Sequence, residues 1–315
     1  MRYMVLIVFC VFLAACVAKA GVLRNMLQTK PYPSVFFTGD ELKVAQAIKA
    51  KNIDKAKALA EKLPDINARG TKNFTLLAFA VADHNLPAIK MLMKLGASPE
   101  LEVGDDEIGR LTIGHLAMLE VNADGLNALL EGGMNPDQAY GSGTLLHRVP
   151  DFAENDSLKH LVEHGANVNA KDSLGQTPLF NLVLTSFDEA LYLLENGADP
   201  FVMDDNGLTL AHSVQDSLES MDKTSEAYQK MLRIQQKMIE QGVQFPALSV
   251  FGERTRLKMV YCKEPSGWQL PANCKVQGEL PHYFTEPPEK IRLRDEKILR
   301  ERYGMDVKVQ LRSWL

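Results

Sequence analysis

Apolar positions along this chain neither alternate strictly nor run on; they arrive in bursts that open on a threonine. Thr75-Leu-Leu-Ala-Phe-Ala80, Thr112-Ile-Gly-His-Leu-Ala117, Thr144-Leu-Leu-His-Arg-Val149, Thr177-Pro-Leu-Phe-Asn-Leu182 and Thr209-Leu-Ala-His-Ser-Val214 share one phrase, with threonines 37, 32, 33 and 32 residues apart. Each burst is answered by a small turn, at Gly96-Ala97, Gly133-Met134, Gly165-Ala166, Gly197-Ala198 and Gly242-Val243, and the separations from Thr to Gly are 21, 21, 21, 20 and 33. A threonine hydroxyl accepts a hydrogen bond from the first turn of a helix, and glycine supplies the left-handed conformation that ends one. The pattern therefore predicts helix pairs, one short helix after each threonine and a second closed by the glycine. A pair of this size cannot bury its apolar face alone, so neighbouring pairs must stack.

The period near 33 and the T-P-L-H-x-A phrase resemble the ankyrin-repeat family. Leu161-Val-Glu-His-Gly-Ala-Asn-Val-Asn-Ala170 is close to that family's second helix and exit, and the resemblance covers residues 40–246. Asp65-Ile66-Asn67-Ala68 aligns with Asn167-Val168-Asn169-Ala170, and the helical pattern of Asp40–Lys62 precedes it. Without the threonine phrase, that first unit looks like an N-terminal cap. The resemblance implies an all-α fold, an ankyrin-repeat solenoid of about six helix-turn-helix units. It implies recognition of a protein partner along fingers and first helices, and no enzymatic activity.

Two departures from the period carry information. The spacing of 37 adds about four residues in Glu100–Arg110, by resemblance a hairpin finger, and its Glu100, Glu102, Asp105, Asp106 and Glu107 are the expected contacts to a basic rim on a partner. The last unit carries some 12 extra residues, Gln215–Glu226, rich in Ser, Asp and Glu. They read as a surface loop ahead of a packed helix, whose Met231, Ile234, Met238 and Ile239 recur at helical spacing.

Composition changes the picture at the two ends. Of 315 residues 46% are hydrophobic and 24% charged, enough for a substantial core, while both tryptophans, Trp268 and Trp314, lie in the last fifth. Residues 21–246 hold 20 Lys/Arg against 31 Asp/Glu, whereas residues 247–315 hold 13 against 9, which places a boundary near 246. An acidic body argues against nucleic acid as a partner, since phosphate binding needs clustered cations. In the extension, Phe251–Cys274 reads as a small hairpin. Glu289–Tyr303 follows Pro287-Pro288 as a helix stopped by Gly304. The extension either covers the exposed end of the last repeat or forms a separate binding module.

The first residues read as an address. Met4–Ala18 is apolar over 15 positions, short of the roughly 20 that cross a bilayer and suited to a secretory signal. Leu13-Ala14-Ala15-Cys16 resembles the bacterial lipobox, which implies removal of residues 1–15, lipid on Cys16, a linker over 16–39 and an outer-membrane anchor facing the periplasm. A conventional cut after Ala18-Lys19-Ala20 is the competing reading. Two cysteines remain, Cys262 and Cys274, enclosing a proline-rich loop that in an exported protein reads as a disulfide; a zinc site would need further ligands.

Catalytic and cofactor chemistry finds no foothold. His115, His147 and His212 occupy the histidine slot of the phrase, where imidazole bonds loop backbone. His160 and His164 stand four apart on a helix, yet Glu163-His164-Gly165-Ala166 is also how such a helix ends. No phosphate loop, nucleophile elbow or calcium loop is present, so no metal, cofactor or small-molecule substrate is expected. An exported acidic ankyrin array resembles the immunity proteins of type VI secretion effectors, including phospholipases. The alternative is a periplasmic scaffold that protects or positions an endogenous enzyme.

Overall fold

The computed structural model describes residues 32–105, 109–119, 123–149, 156–250, 252, 253, 256 and 293–304. The chain divides into two compact units, Met1–Asn167 and Val168–Leu315. Among the described residues six helix pairs follow one another along the sequence.

The first unit opens with α1 (Pro33–Phe36), α2 (Gly39–Lys49) and α3 (Ile53–Ala60), continues with α4 (Leu76–Ala82) and α5 (Leu86–Lys94), and then forms a hairpin of β1 (Glu102–Asp105) and β2 (Gly109–Thr112). After it come α6 (Ile113–Met118), α7 (Asp124–Glu131), a short hairpin of β3 (Ala139–Tyr140) and β4 (Gly143–Thr144), a 3-10 turn over Leu145–Arg148, and α8 (Ser157–Glu163). The second unit contains α9 (Pro178–Leu182), α10 (Phe187–Glu195), α11 (Leu210–Ser220), α12 (Glu226–Glu240) and α13 (Leu293–Tyr303).

Local chemistry explains the helix ends. The hydroxyls of Thr75, Thr112 and Thr209 accept from the backbone N–H groups of Ala78, His115 and His212. Thr177 departs from this pattern. It precedes Pro178 and makes no side-chain cap bond. The five turn glycines all have positive φ, between 87° and 97°. The second helices are capped differently: Asn52 and Asn85 accept from Lys55 and Ala88. Buried Asn85 also donates 2.8 Å to the carbonyl of Ile48, so one amide starts its own helix and grips the preceding repeat.

Stacking supplies the stability that such short helices lack alone. All seven residues of α4 are buried, with Leu76, Leu77 and Phe79 at 1% exposure or less. Full burial of a side chain of this size contributes about 1.5–3 kcal/mol. A polar ladder runs beside the apolar one. Asn67 donates to the carbonyl of Gly96 and accepts from Ser98 N–H, and in the second unit Asn169 does the same with Gly197 and Asp199. The sequence alignment of Asp65–Ala68 with Asn167–Ala170 is thus an alignment of contacts. Asp137 fills the slot in between, accepting from Asn167 N–H at 2.8 Å.

Two sequence boundaries shift. The linker assigned to 16–39 ends earlier, because Phe36 and Phe37 are buried, Phe36 stacking on Phe74 at 4.2 Å and Phe37 meeting Phe79 edge-on at 5.8 Å. Thr38 stands at the N-cap of α2, so the first repeat has its threonine after all, in the order Phe37-Thr38 that matches Phe74-Thr75. The surface loop assigned to Gln215–Glu226 is mostly helix: α11 continues to Ser220, with Gln215 and Leu218 buried. Only residues 221–225 turn, where Asp222 accepts from Thr224 and Ser225 caps α12 through Tyr228 N–H.

The described part of the extension belongs to the second unit. Asp295 on α13 is fully buried and accepts from both the N–H and the hydroxyl of Ser249. Arg294 reaches Glu219 on α11 at 2.8 Å, Ile298 and Leu299 are buried, and Gly304 ends the helix with φ 65°. Arg256 lies 5.3 Å over the ring of Tyr303 and pairs with Glu253. Cys16, Cys262 and Cys274 lie outside the described residues. Among the described residues no helix is long and apolar enough to cross a membrane.

Candidate functional site

The long finger forms because Glu100–Arg110 has enough residues for two antiparallel strands, registered Glu102 to Thr112, Val103 to Leu111, Gly104 to Arg110 and Asp105 to Gly109. Val103 and Leu111 point into the stack and are buried, while Glu100, Glu102 and Arg110 are exposed. The finger is rooted in its neighbour. Asn73, in the preceding turn, donates 2.9 Å to the carbonyl of Gly104, whose φ of 95° lets the strand come this close. Lys72 approaches Asp105 at 3.7 Å.

The five carboxylates expected to meet a partner therefore separate. Glu100 and Glu102 are exposed and carry no ion pair among the described residues. Asp105 is half-buried and engaged with Lys72 of the preceding turn, so it is tied into the repeat stack. Asp106 and Glu107 lie outside the described residues.

A second cluster was missed in the sequence. In the second unit the turns Asp172-Ser-Leu-Gly-Gln176 and Asp204-Asp-Asn-Gly-Leu208 repeat at a spacing of 32, each closed by the aspartate accepting two backbone N–H groups. Asp205 N–H donates to the carbonyl of Leu174 at 2.9 Å, and Gln176 reaches Asp204 at 3.2 Å, so adjacent turns are joined. Leu174 is 47% exposed at the tip, beside exposed Asp205 and Asn206, and Phe201 is 60% exposed at the base of the next turn. An apolar residue inside a D-x-x-G turn was the available signal.

The histidines have structural surroundings. His147 Nδ1 accepts from Thr144 N–H at 3.1 Å. His164 Nδ1 donates to the carbonyl of His160 at 2.9 Å, which ties it to its own helix end. Burial, with a smaller contribution from Arg148, lowers the pKa of His115 to about 4 and keeps it neutral at ordinary pH. Among the described residues no group of three or more His, Cys, Asp or Glu is placed to hold a metal ion.

No protein-family model matches the chain. Over 88 residues, 27% of this chain, it is 34% identical to an ankyrin repeat-containing protein of Schizosaccharomyces pombe, covering 42% of that relative, less than half its length. The solved ankyrin repeat domain of Bcl-3, described as a member of the IkappaB protein family, aligns at 21% identity and a TM-score of 0.51, covering 66% of this chain and 89% of that one. A chain from a predatory endopeptidase of Bdellovibrio bacteriovorus in complex with an immunity protein aligns at 21% identity and a TM-score of 0.44, over 61% of this chain and 97% of that one, too loosely to bear on function. The threonine phrase, the glycine-closed helix pairs, the joined turns and the likeness to these ankyrin proteins together make the fold of this chain an ankyrin-repeat fold.

Proposed function

We propose that this chain is a non-enzymatic, protein-binding ankyrin-repeat lipoprotein of the bacterial periplasm. In this reading it is held at the outer membrane by lipid on Cys16 and neutralises a toxin delivered by type VI secretion, such as a phospholipase. One observation carries the binding role: the finger of the first unit is rooted by Val103 and Asn73 yet presents Glu100 and Glu102 unpaired among the described residues. Side chains that the stack does not use, held on rigid backbone, suit recognition because little freedom is lost on docking. The lipobox-like Leu13-Ala14-Ala15-Cys16 supports the anchor, and an exported acidic array supports the toxin reading by resemblance. A disulfide between Cys262 and Cys274 fits the same oxidising compartment.

The test is co-expression. A phospholipase effector of type VI secretion is directed to the periplasm with and without the chain. Survival only with the chain, and a stable complex of the two purified proteins, is the expected result. Unprotected cells and no complex would discard the toxin reading, and binding to a resident enzyme that keeps its activity would favour the scaffold instead.

A further inference from the structure

Among the described residues the polar ladder between successive repeats is broken at Phe201. The ladder residue stands four positions after each helix-exit glycine, at Glu100, Asp137, Asn169 and Phe201, with Asn67 in the same place after α3. Where it is an asparagine, one carboxamide spans two backbone groups of the next turn. Asn67 donates to the Gly96 carbonyl at 3.3 Å and accepts from Ser98 N–H at 2.8 Å. Asn169 donates to the Gly197 carbonyl at 3.0 Å and accepts from Asp199 N–H at 2.8 Å. A carboxylate can only accept, and Asp137 takes the N–H of Asn167. The ring of Phe201 can do neither.

Phe201 is nevertheless held at the rung. Its N–H donates to Asp199 Oδ1 at 2.8 Å, and its neighbours Pro200 and Val202 are buried. The ring reaches the turn that a rung would grip, since its Cζ lies 3.7 Å from where a Cβ on Gly242 would stand, yet it stays 60% exposed. The two groups of that turn, the Gly242 carbonyl and the Gln244 N–H, belong to exposed residues and have no hydrogen-bond partner among the described residues. The turn itself is fixed. Gly242 N–H donates to the Ile239 carbonyl, and buried Val243, between the open groups, donates to the Met238 carbonyl, both at 2.9 Å.

We infer that Phe201, the Gly242 carbonyl and the Gln244 N–H form a recognition site on the second unit for an exposed asparagine of a protein partner. The carboxamide completes the rung, and apolar neighbours of that asparagine rest on the Phe201 ring. The chain supplies the precedent, because the same pair of backbone groups binds an asparagine side chain in two other turns. A carboxamide suits the pair because it donates from nitrogen and accepts at oxygen, whereas a carboxylate only accepts and an ammonium only donates. Backbone groups fixed before docking lose little freedom, and an exposed aromatic ring beside them adds apolar area to the contact. Glu100 stands at a rung in the first unit and is likewise exposed with no side-chain bond among the described residues. In each unit, then, a residue that leaves the ladder is one that turns outward.

The experiment uses the full exported chain with Cys16→Ser, isotope-labelled for NMR, and the probe is acetyl-Leu-Asn-Leu amide at millimolar concentration. The amide signal of Gln244 and the ring signals of Phe201 should move together and saturate. Replacing the asparagine of the peptide by alanine or aspartate should weaken binding about fivefold or more, the worth of one hydrogen bond. Phe201→Asn fills the rung from within, and should abolish the shifts and melt about 2–4 °C above Phe201→Ala, which leaves the rung open. Because Phe201 is exposed, neither variant threatens the core. Absent shifts at Gln244 and Phe201, equal binding of the alanine peptide, or binding that survives Phe201→Asn overturns the inference. Coincident melts of Phe201→Asn and Phe201→Ala do so as well, since the backbone pair would then take no carboxamide. None of these readouts involves lipid on Cys16 or a toxin, so the proposed function can fail while this site stands, and the reverse.

Discussion

At the scale of single residues, Gly165 and His115 make separable predictions. Gly165 has φ 87°, and a Cβ built on it would meet nothing within 4 Å. Gly165→Val is therefore opposed by backbone conformation and not by packing, and the cost should be about 1–2 kcal/mol. A melting temperature equal to that of the wild type would contradict the helix exit assigned here. His115 acts through pH. In the folded chain its pKa is lowered to about 4, against 6.5 in the unfolded chain, so above 6.5 the group is neutral in both states and contributes no pH dependence. As pH falls from 6.5 toward 4 the unfolded chain binds a proton that the folded chain refuses, and stability drops across that window by up to about 3 kcal/mol. Urea midpoints at pH 7 and pH 4.5 should differ less in His115→Gln than in the wild type. An unchanged difference would assign the acid sensitivity to other groups.

At the scale of elements, what was legible in the sequence was whatever a single residue type enforces. Threonine and glycine mark helix ends through local hydrogen bonding and φ, so the helix pairs and their exits could be read from spacing. The continuation of α11 to Ser220 could not. Gln215–Glu226 is rich in polar residues, yet Gln215 is buried because its side chain accepts from Ala247 N–H, 32 residues away, and that long-range partner outweighs composition. The first repeat was obscured for a related reason. Gly39, Asp40 and Glu41 dilute the apolar phrase after Thr38, and burial of Phe36 and Phe37 is decided by Phe74 and Phe79 in the next repeat. The fastening of α13 was equally invisible, since it depends on Asp295 meeting Ser249. Asp295→Ala leaves that backbone N–H and hydroxyl buried without acceptor, and should cost the second unit about 1–3 kcal/mol. Gly252→Ala should also destabilise it, because the new Cβ would fall 2.8 Å from Asp295 Cγ. Denaturation curves of both variants coincident with the wild type would show that α13 contributes nothing to folding.

At the scale of the molecule, the acidic body makes association with a basic partner dependent on ionic strength, and the finger decides how much of that dependence is local. Only part of this site was legible. The insertion and its five carboxylates stand out in the sequence, but their division into free and engaged groups follows from Lys72 lying against Asp105, a contact between repeats. Glu100→Lys with Glu102→Lys is consequently the informative change, because it reverses two exposed charges and leaves Val103, Gly104 and the Lys72 contact in place. Charges at the rim of an interface act chiefly on the association rate and are screened over about 8–10 Å at physiological salt. The double reversal should slow association with a purified basic partner severalfold at low salt, flatten the salt dependence, and leave the dissociation rate and melting temperature close to wild type. Adding Asp105→Lys should behave differently, lowering stability as well, since it places two ammonium groups together in a half-buried contact. Stopped-flow association at low and high salt, with thermal melts of each variant, separates these effects. Association rates and salt slopes unchanged by Glu100→Lys and Glu102→Lys would remove the long finger from the encounter and shift attention to Leu174 and Phe201 on the second unit, whose apolar exposure predicts an effect on dissociation instead.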